Sequence, residues 1–145
     1  MKIFRLLKGR AGSLMSAALI MPLLVIVVFA TFDLAEKEVV RNAAAKAARE
    51  ASRIYAQQEN VQLARQKAEE TFDGSVGVFG SLNSIQISQT SDGYGTYAVA
   101  TVQASVRTGV FDFVWNLVGQ KPADTISQTR VYMIEPKTGS STSMY

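Results

Sequence analysis

The chain has 145 residues, with fifteen Lys and Arg against twelve Asp and Glu, and a formal net charge of +3. It contains no cysteine and no histidine, which excludes disulfide bridges, thiol nucleophiles, imidazole bases and the commonest transition-metal ligands. No other residue pattern indicates catalysis, so we expect neither enzyme activity nor a cofactor.

The basic excess lies at the amino terminus. The first ten residues carry four basic and no acidic side chains, namely Lys2, Arg5, Lys8 and Arg10. The rest of the chain is nearly neutral, so the net charge does not indicate binding to nucleic acid. Short basic flanks of a membrane span stay on the cytoplasmic side. Residues 1–12 are therefore predicted to be a basic, leader-like cytoplasmic stub.

Residues 12–32 carry no charge and end directly before Asp33. At about 1.5 Å per residue, a helix of this length spans roughly 31 Å, close to the roughly 30 Å hydrocarbon core of a bilayer. We predict a transmembrane helix over residues 13–32, with the amino terminus cytoplasmic and the remainder exported. A cleavable signal peptide is the alternative, although its apolar region is normally shorter. Beside the membrane edge, Asp33 and Glu36 are interpreted as solvated residues.

Residues 33–72 lack Pro and Gly and are rich in strong helix formers, which predicts an exported helix. A kink or break near residues 57–60 is as consistent with the sequence as a continuous helix, and Asn60 is placed to cap a second helix. Surface ion pairs are expected between residues four apart. An apolar stripe recurs at steps of three and four, apart from one step of seven: Val40, Ala44, Ala47, Ala51, Ile54, Val61, Ala64 and Ala68.

The first four residues of that stripe form the predicted helix-packing face. Alanine buries little area but lets a partner approach closely. Because Val40, Ala44, Ala47 and Ala51 lie nearest the membrane and are expected to be far from the later strands, packing on a neighbouring helix and packing within the domain are equally consistent. Beyond Ile54 the intramolecular interpretation is favoured.

Residues 73–136 are predicted to be a small sheet domain. A glycine-rich loop over residues 73–81 is followed by alternation at Ile85 and Ile87, a hairpin loop over 91–95, and a strand over 97–106 with one apolar face. A short amphipathic helix or an ordered loop is predicted over 110–118, and a last strand over 125–134. The Ser-, Thr- and Gly-rich residues 137–145 are expected to be a flexible tail.

This order of elements resembles the type IV pilin plan, and more closely the TadE-like minor pilins or pseudopilins of the tight-adherence (type IVc, Flp) pilus system. The resemblance rests on the order and spacing of five segments, which are residues 10–13, 17–24, 32–33, 40–45 and 129–135. It implies an α+β fold in which a long amino-terminal transmembrane and exported helix packs on a small three-stranded antiparallel sheet with a short helical insert.

The resemblance also implies a function. The protein would be a structural or assembly component of a pilus for adhesion or secretion, located in the bacterial inner membrane. Its partners would be membrane lipid, other pilin subunits, the assembly machinery and a prepilin peptidase that cuts after Gly12 and leaves Ser13 first. Family members carry a Glu five residues after that glycine; here the position is Ala17, or Ser16 when counted back from Pro22. A membrane-anchored binding domain outside any filament and a secreted protein with a cleaved signal peptide are the alternatives.

Overall fold

The computed structural model describes residues 3–107, 119 and 125–135, with side chains from residue 16 onward. Its elements are two helices followed by three strands. Together they give the predicted α+β arrangement of a long amino-terminal helix with a three-stranded antiparallel sheet. The helix predicted over residues 110–118 and the tail predicted over 137–145 lie outside the described residues.

The first helix, α1, is one continuous helix over Ile3–Gln58. It ends because Glu59 takes a left-handed backbone conformation, with φ of 53°. The next residue, Asn60, accepts a hydrogen bond from the Leu63 N–H through Oδ1 at 3.0 Å, and so caps the second helix. The break and the cap considered from the sequence are therefore both present.

The second helix, α2, covers Val61–Val76. A Cβ atom placed on Gly80 would lie 2.7 Å from Val40 Cγ2 and 3.0 Å from Val76 Cγ2, so both valine side chains lie against Gly80. Since Val40 lies well before the turn at Glu59 and Val76 lies well after it, the chain must reverse direction there. The second half of α1 and α2 form an antiparallel helical hairpin.

The helix α2 also extends past Phe72, where the sequence predicted its end. Asp73, Gly74, Ser75 and Val76 remain helical, and Gly77 ends the helix with a φ of 57°. The predicted glycine-rich loop is therefore shorter than expected, because only Gly77, Val78 and Phe79 separate α2 from the first strand.

The sheet contains β1 (Gly80–Asp92), β2 (Gly95–Val106) and β3 (Thr125–Ile134), all antiparallel in the order β1-β2-β3. The hairpin between β1 and β2 is confirmed, with a tighter turn than predicted. Asp92 Oδ1 accepts the N–H groups of Tyr94 at 2.8 Å and Gly95 at 3.0 Å, which is ordinary Asp-Gly turn chemistry.

A β-bulge interrupts β1 at Asn83. Leu82 pairs with Ala104 and Ser84 with Gln103, so Asn83 is the extra residue. The bulge turns Leu82 and Ile85 to the same face although they are three positions apart, an odd spacing that would put them on opposite faces of a regular strand. The side chain of Asn83 lies on the other face, where its Oδ1 accepts a hydrogen bond from Ser105 Oγ at 3.0 Å.

The core of the domain lies between the helical hairpin and one face of the sheet. The predicted alternation of β2 is confirmed, because every second residue from Ala98 to Val106 is buried. Phe72 and Val102 are among its largest fully buried side chains, and most of the remainder is alanine. The core alanines are Ala43, Ala44, Ala47, Ala48, Ala51, Ala68, Ala100 and Ala104.

Candidate membrane anchor and assembly surfaces

The apolar segment of α1 exposes large side chains on all sides. Their exposed fractions range from 39% at Ile26 to 76% at Leu19. Leaving such a side chain in water rather than burying it costs about 1.5–3 kcal/mol. Within the described part of the chain, this helix alone is long and apolar enough to cross a membrane. The exposed set is Leu19, Ile20, Met21, Leu23, Leu24, Val25, Ile26, Val27, Val28 and Phe32.

The polar groups of this segment are few. Thr31 Oγ1 donates a hydrogen bond to the Val27 carbonyl at 2.8 Å, which satisfies the hydroxyl within the helix. Pro22 lies inside the helix and has no N–H, so the Ala18 carbonyl lacks its usual helical donor. Transmembrane helices tolerate such a proline. The segment is therefore a candidate membrane anchor.

The predicted cleavage residues, Gly12 and Ser13, lie in the helical backbone of α1. Their side chains fall outside the described residues, so their role stays a prediction. Ser16 and Ala17, the positions at which the resemblance led us to expect a glutamate, are both exposed.

Asp33 is buried, with an exposed fraction of 3%. Its interpretation as a solvated residue is therefore wrong, whereas Glu36 is half-buried. The sequence held a signal that could have indicated this burial. Asp33 lies seven residues before Val40, a spacing that puts the two residues on the same face of a helix.

The predicted packing face is fully occupied inside the domain. Val40, Ala44, Ala47 and Ala51 all have exposed fractions of 0% and belong to the same cluster as the buried residues of α2 and the sheet. The expectation that they lie far from the strands is wrong, since the chain reversal brings Val76 and Gly80 to Val40. The structure shows the intramolecular alternative, and contact with a second subunit through this face stays a prediction.

Among the described side chains, the ion pairs on the helices join residues three apart, whereas a spacing of four was predicted. Glu38 pairs with Arg41, Glu50 with Arg53, and Lys67 with Glu70. The hydrogen bond and the charge of Glu50 raise the pKa of Arg53 above its usual value. The hydrogen bond from Lys67, together with one from Gln66, lowers the pKa of Glu70.

A basic groove of about 350 Å³ runs between α1 and β3. Its lining residues are Asn42, Ala45, Lys46, Arg49 and Arg130. A second groove beside it shares Lys46 and Arg49 and is completed by Glu50, Arg53 and Thr71. Both are open surface grooves. Among the residues that the structure describes, no group of three acidic or histidine side chains is placed to hold a metal ion.

Comparison with protein-family models matches residues 16–53 to the family described as TadE-like protein. The match covers the exposed apolar segment over residues 19–32 and all four residues of the predicted packing face, here called the alanine face, which are Val40, Ala44, Ala47 and Ala51. Neither the curated proteins nor the solved structures contain a match to the chain. The family match confirms the resemblance drawn from the sequence, since residues 16–53 of this chain are similar to the TadE-like family.

Proposed function

We propose that the protein is a minor pilin or pseudopilin of a tight-adherence pilus and acts as a structural or assembly component without chemistry of its own. One observation carries the proposal. The TadE-like match covers a single continuous helix in which an exposed apolar segment is followed by a buried alanine face. A membrane anchor joined to a small folded domain is what a subunit needs in order to be stored in a membrane.

The proposal includes an orientation. Residues 13–32 span the bacterial inner membrane, the four basic residues of the stub remain in the cytoplasm, and the domain is exported. The support is the asymmetry of charge, because Lys and Arg next to a span favour the cytoplasmic side. The expected partners are membrane lipid, other pilin or pseudopilin subunits and the assembly machinery.

Processing is the most specific part of the proposal. A prepilin peptidase would cut after Gly12, so that Ser13 becomes the first residue. The new amino group would then sit at the start of an apolar helix that has Ser16 and Ala17 in place of a glutamate. A charge inside a bilayer without a partner costs about 2.5–3.5 kcal/mol or more. We therefore expect a partner subunit to supply the missing carboxylate if the chain enters a filament.

Mass spectrometry of the amino terminus of the natural protein tests this proposal. A terminus at Ser13 supports a processed pilin-like subunit, and an intact Met1 contradicts processing. A terminus near Thr31 or Glu36 would make the apolar segment a removed signal peptide and would contradict the membrane anchor as well.

The chain offers a matched pair of variants for this experiment. Gly12→Val removes the predicted cleavage residue, whereas Gly9→Val makes the same change three residues earlier in the stub. We expect the first variant to retain Met1 and the second to be cut like the natural protein. Equal cleavage of both would contradict the assignment of Gly12.

A membrane-anchored domain that never enters a filament is the second candidate. Two observations favour it. The glutamate of related proteins is absent at Ser16 and Ala17, and the alanine face is already covered by the sheet of the same chain. An intact Met1 together with full retention in the membrane fraction would support this function over the first.

A further inference from the structure

Three basic side chains line the groove between α1 and β3 without an acidic partner. Lys46 and Arg49 lie one turn apart on the exposed side of α1, and Arg130 comes from the middle of β3. Within the described residues, no salt bridge joins any of these three side chains to a carboxylate. Such a concentration of one charge on a groove attracts anions.

Glu50, which lines the neighbouring groove, is already paired with Arg53. Arg53 Nη2 donates to Glu50 Oε1 at 2.6 Å, and Arg53 Nε donates to Glu50 Oε2 at 3.2 Å. This bidentate contact uses both carboxylate oxygens of Glu50, which lies four residues after Lys46. Arg53 therefore neutralises a carboxylate that would otherwise offset the charge of Lys46 and Arg49.

The groove lies beside an edge of the sheet. The strand β3 pairs with β2 on one side, and on its other side no described strand pairs with it. Every second residue of this ten-residue strand thus offers its backbone N–H and C=O groups to an added strand. Alternate side chains of a strand point to the same face of a sheet. In β3 that alternation puts Arg130 on the same face as Ile126, toward the helices.

We propose that the groove between α1 and β3 binds an extended acidic segment of a partner protein, which pairs with the edge of β3 and directs carboxylates to Lys46, Arg49 and Arg130. Charge complementarity selects this occupant. Strands of a second copy do not fit, because β1, β2 and β3 together contain a single acidic residue, Asp92. The proposal does not depend on the pilus assignment, since it concerns only the folded domain.

Fluorescence anisotropy with a labelled peptide tests the proposal. The protein is the full chain in non-ionic detergent, and the probe is a ten-residue peptide of alternating Glu and Thr, matched in length to β3. The control peptide has Gln in place of every Glu. We expect the acidic peptide to bind at low ionic strength, to weaken as salt is added, and the control peptide not to bind.

Variants locate the binding site. The double variant Lys46→Glu with Arg130→Glu should weaken binding by roughly tenfold or more, because two attractions become repulsions. The single variant Arg49→Glu should weaken it less. The matched control is Arg65→Glu, which makes the same charge change on the exposed surface of α2 and should leave binding unchanged.

Several results would overturn the proposal. One is failure of the acidic peptide to bind the natural chain at low ionic strength. Another is an equal loss of binding in Arg65→Glu and in the groove variants. Displacement of the peptide by phosphatidylglycerol added to the micelles would assign the groove to a lipid headgroup instead. Since none of these results involves the amino terminus, they are distinct from failure of the pilus proposal.

Discussion

Two segments of α1 are both rich in apolar residues but differ in the size and the burial of their side chains. Over residues 19–32 the side chains are mostly large and exposed on every side of the helix. Over residues 40–51 the buried side chains are mostly alanine and lie on one side, with charged residues on the other. The comparison teaches that side-chain size, and not apolar character alone, distinguishes the candidate membrane-spanning surface of this helix from the surface that packs on the sheet.

The physical reason is the shape of the surroundings. Lipid chains adapt to any outline, so large side chains gain burial around the whole helix. A sheet is a rigid neighbour, and small side chains let the helix backbone approach it closely. The close contact of Val40, Val76 and Gly80 shows how little room is left at one end of this interface.

The largest expected effect comes from a charge in the exposed apolar segment. Leu23→Arg should cost about 2.5–3.5 kcal/mol of membrane insertion and reduce the fraction of the chain that resists extraction with alkaline carbonate. The control is Leu34→Arg, because Leu34 lies beyond the predicted span and is as exposed as Leu23, at 63% against 64%. Equal retention of the two variants would contradict the anchor.

A smaller effect is expected from added volume in the alanine segment. Ala47→Leu should destabilise the folded domain by about 1–3 kcal/mol, because the side chain is fully buried against a packed core. Thermal unfolding followed by circular dichroism in detergent measures this loss. Ala45→Leu is the control, since Ala45 is only half-buried on the same helix. A normal melting temperature with impaired subunit crosslinking would instead support the predicted use of this face between subunits.

The cap at Asn60 tests whether the domain depends on the chain reversal. Asn60→Ala should cost about 1 kcal/mol of domain stability, because the Leu63 N–H loses its acceptor. Asn60→Ser keeps an oxygen at the cap and should recover most of that stability. Membrane extraction of both variants should match the natural chain, since the effect belongs to the domain alone.

The smallest effect is expected from pH. The folded-state pKa of Glu70 is lowered, so its contribution to stability is present above the ordinary glutamate pKa and is lost as the pH falls through the lowered value. The melting temperature of Glu70→Gln should therefore lie slightly below that of the natural chain at neutral pH, and the two should converge in acid. A constant difference across this range would contradict the role of the Lys67 contact.

The elements with a regular period were predictable from the sequence. The strand β3 has the predicted bounds, and the alternating face of β2 is buried as expected. The candidate anchor segment was equally recognisable, because its length and lack of charge can be read without knowledge of the rest of the fold. Each of these inferences depends on local pattern alone.

The chain reversal at Glu59, and the contacts between distant residues that it creates, could not be predicted from local pattern alone. A left-handed backbone is usually indicated by Gly or Asn, and here Glu59 adopts it. Alanine side chains at helical spacing can pack on another helix or on a sheet, so the stripe alone did not indicate which element would cover it. The basic groove joins Lys46 and Arg49 to Arg130, which is distant in the chain, and it forms only when β3 lies beside α1.

The bulge at Asn83 makes the effect of a deletion in β1 depend on its position. Asn83 is the extra residue of the bulge, so its deletion would leave Leu82 and Ile85 two positions apart in a regular strand and still on the same face. Deletion of Gln86 would instead make Ile85 and Ile87 adjacent and turn them to opposite faces of the sheet. A single-codon deletion of Asn83 should therefore be much less damaging than the same deletion three residues later.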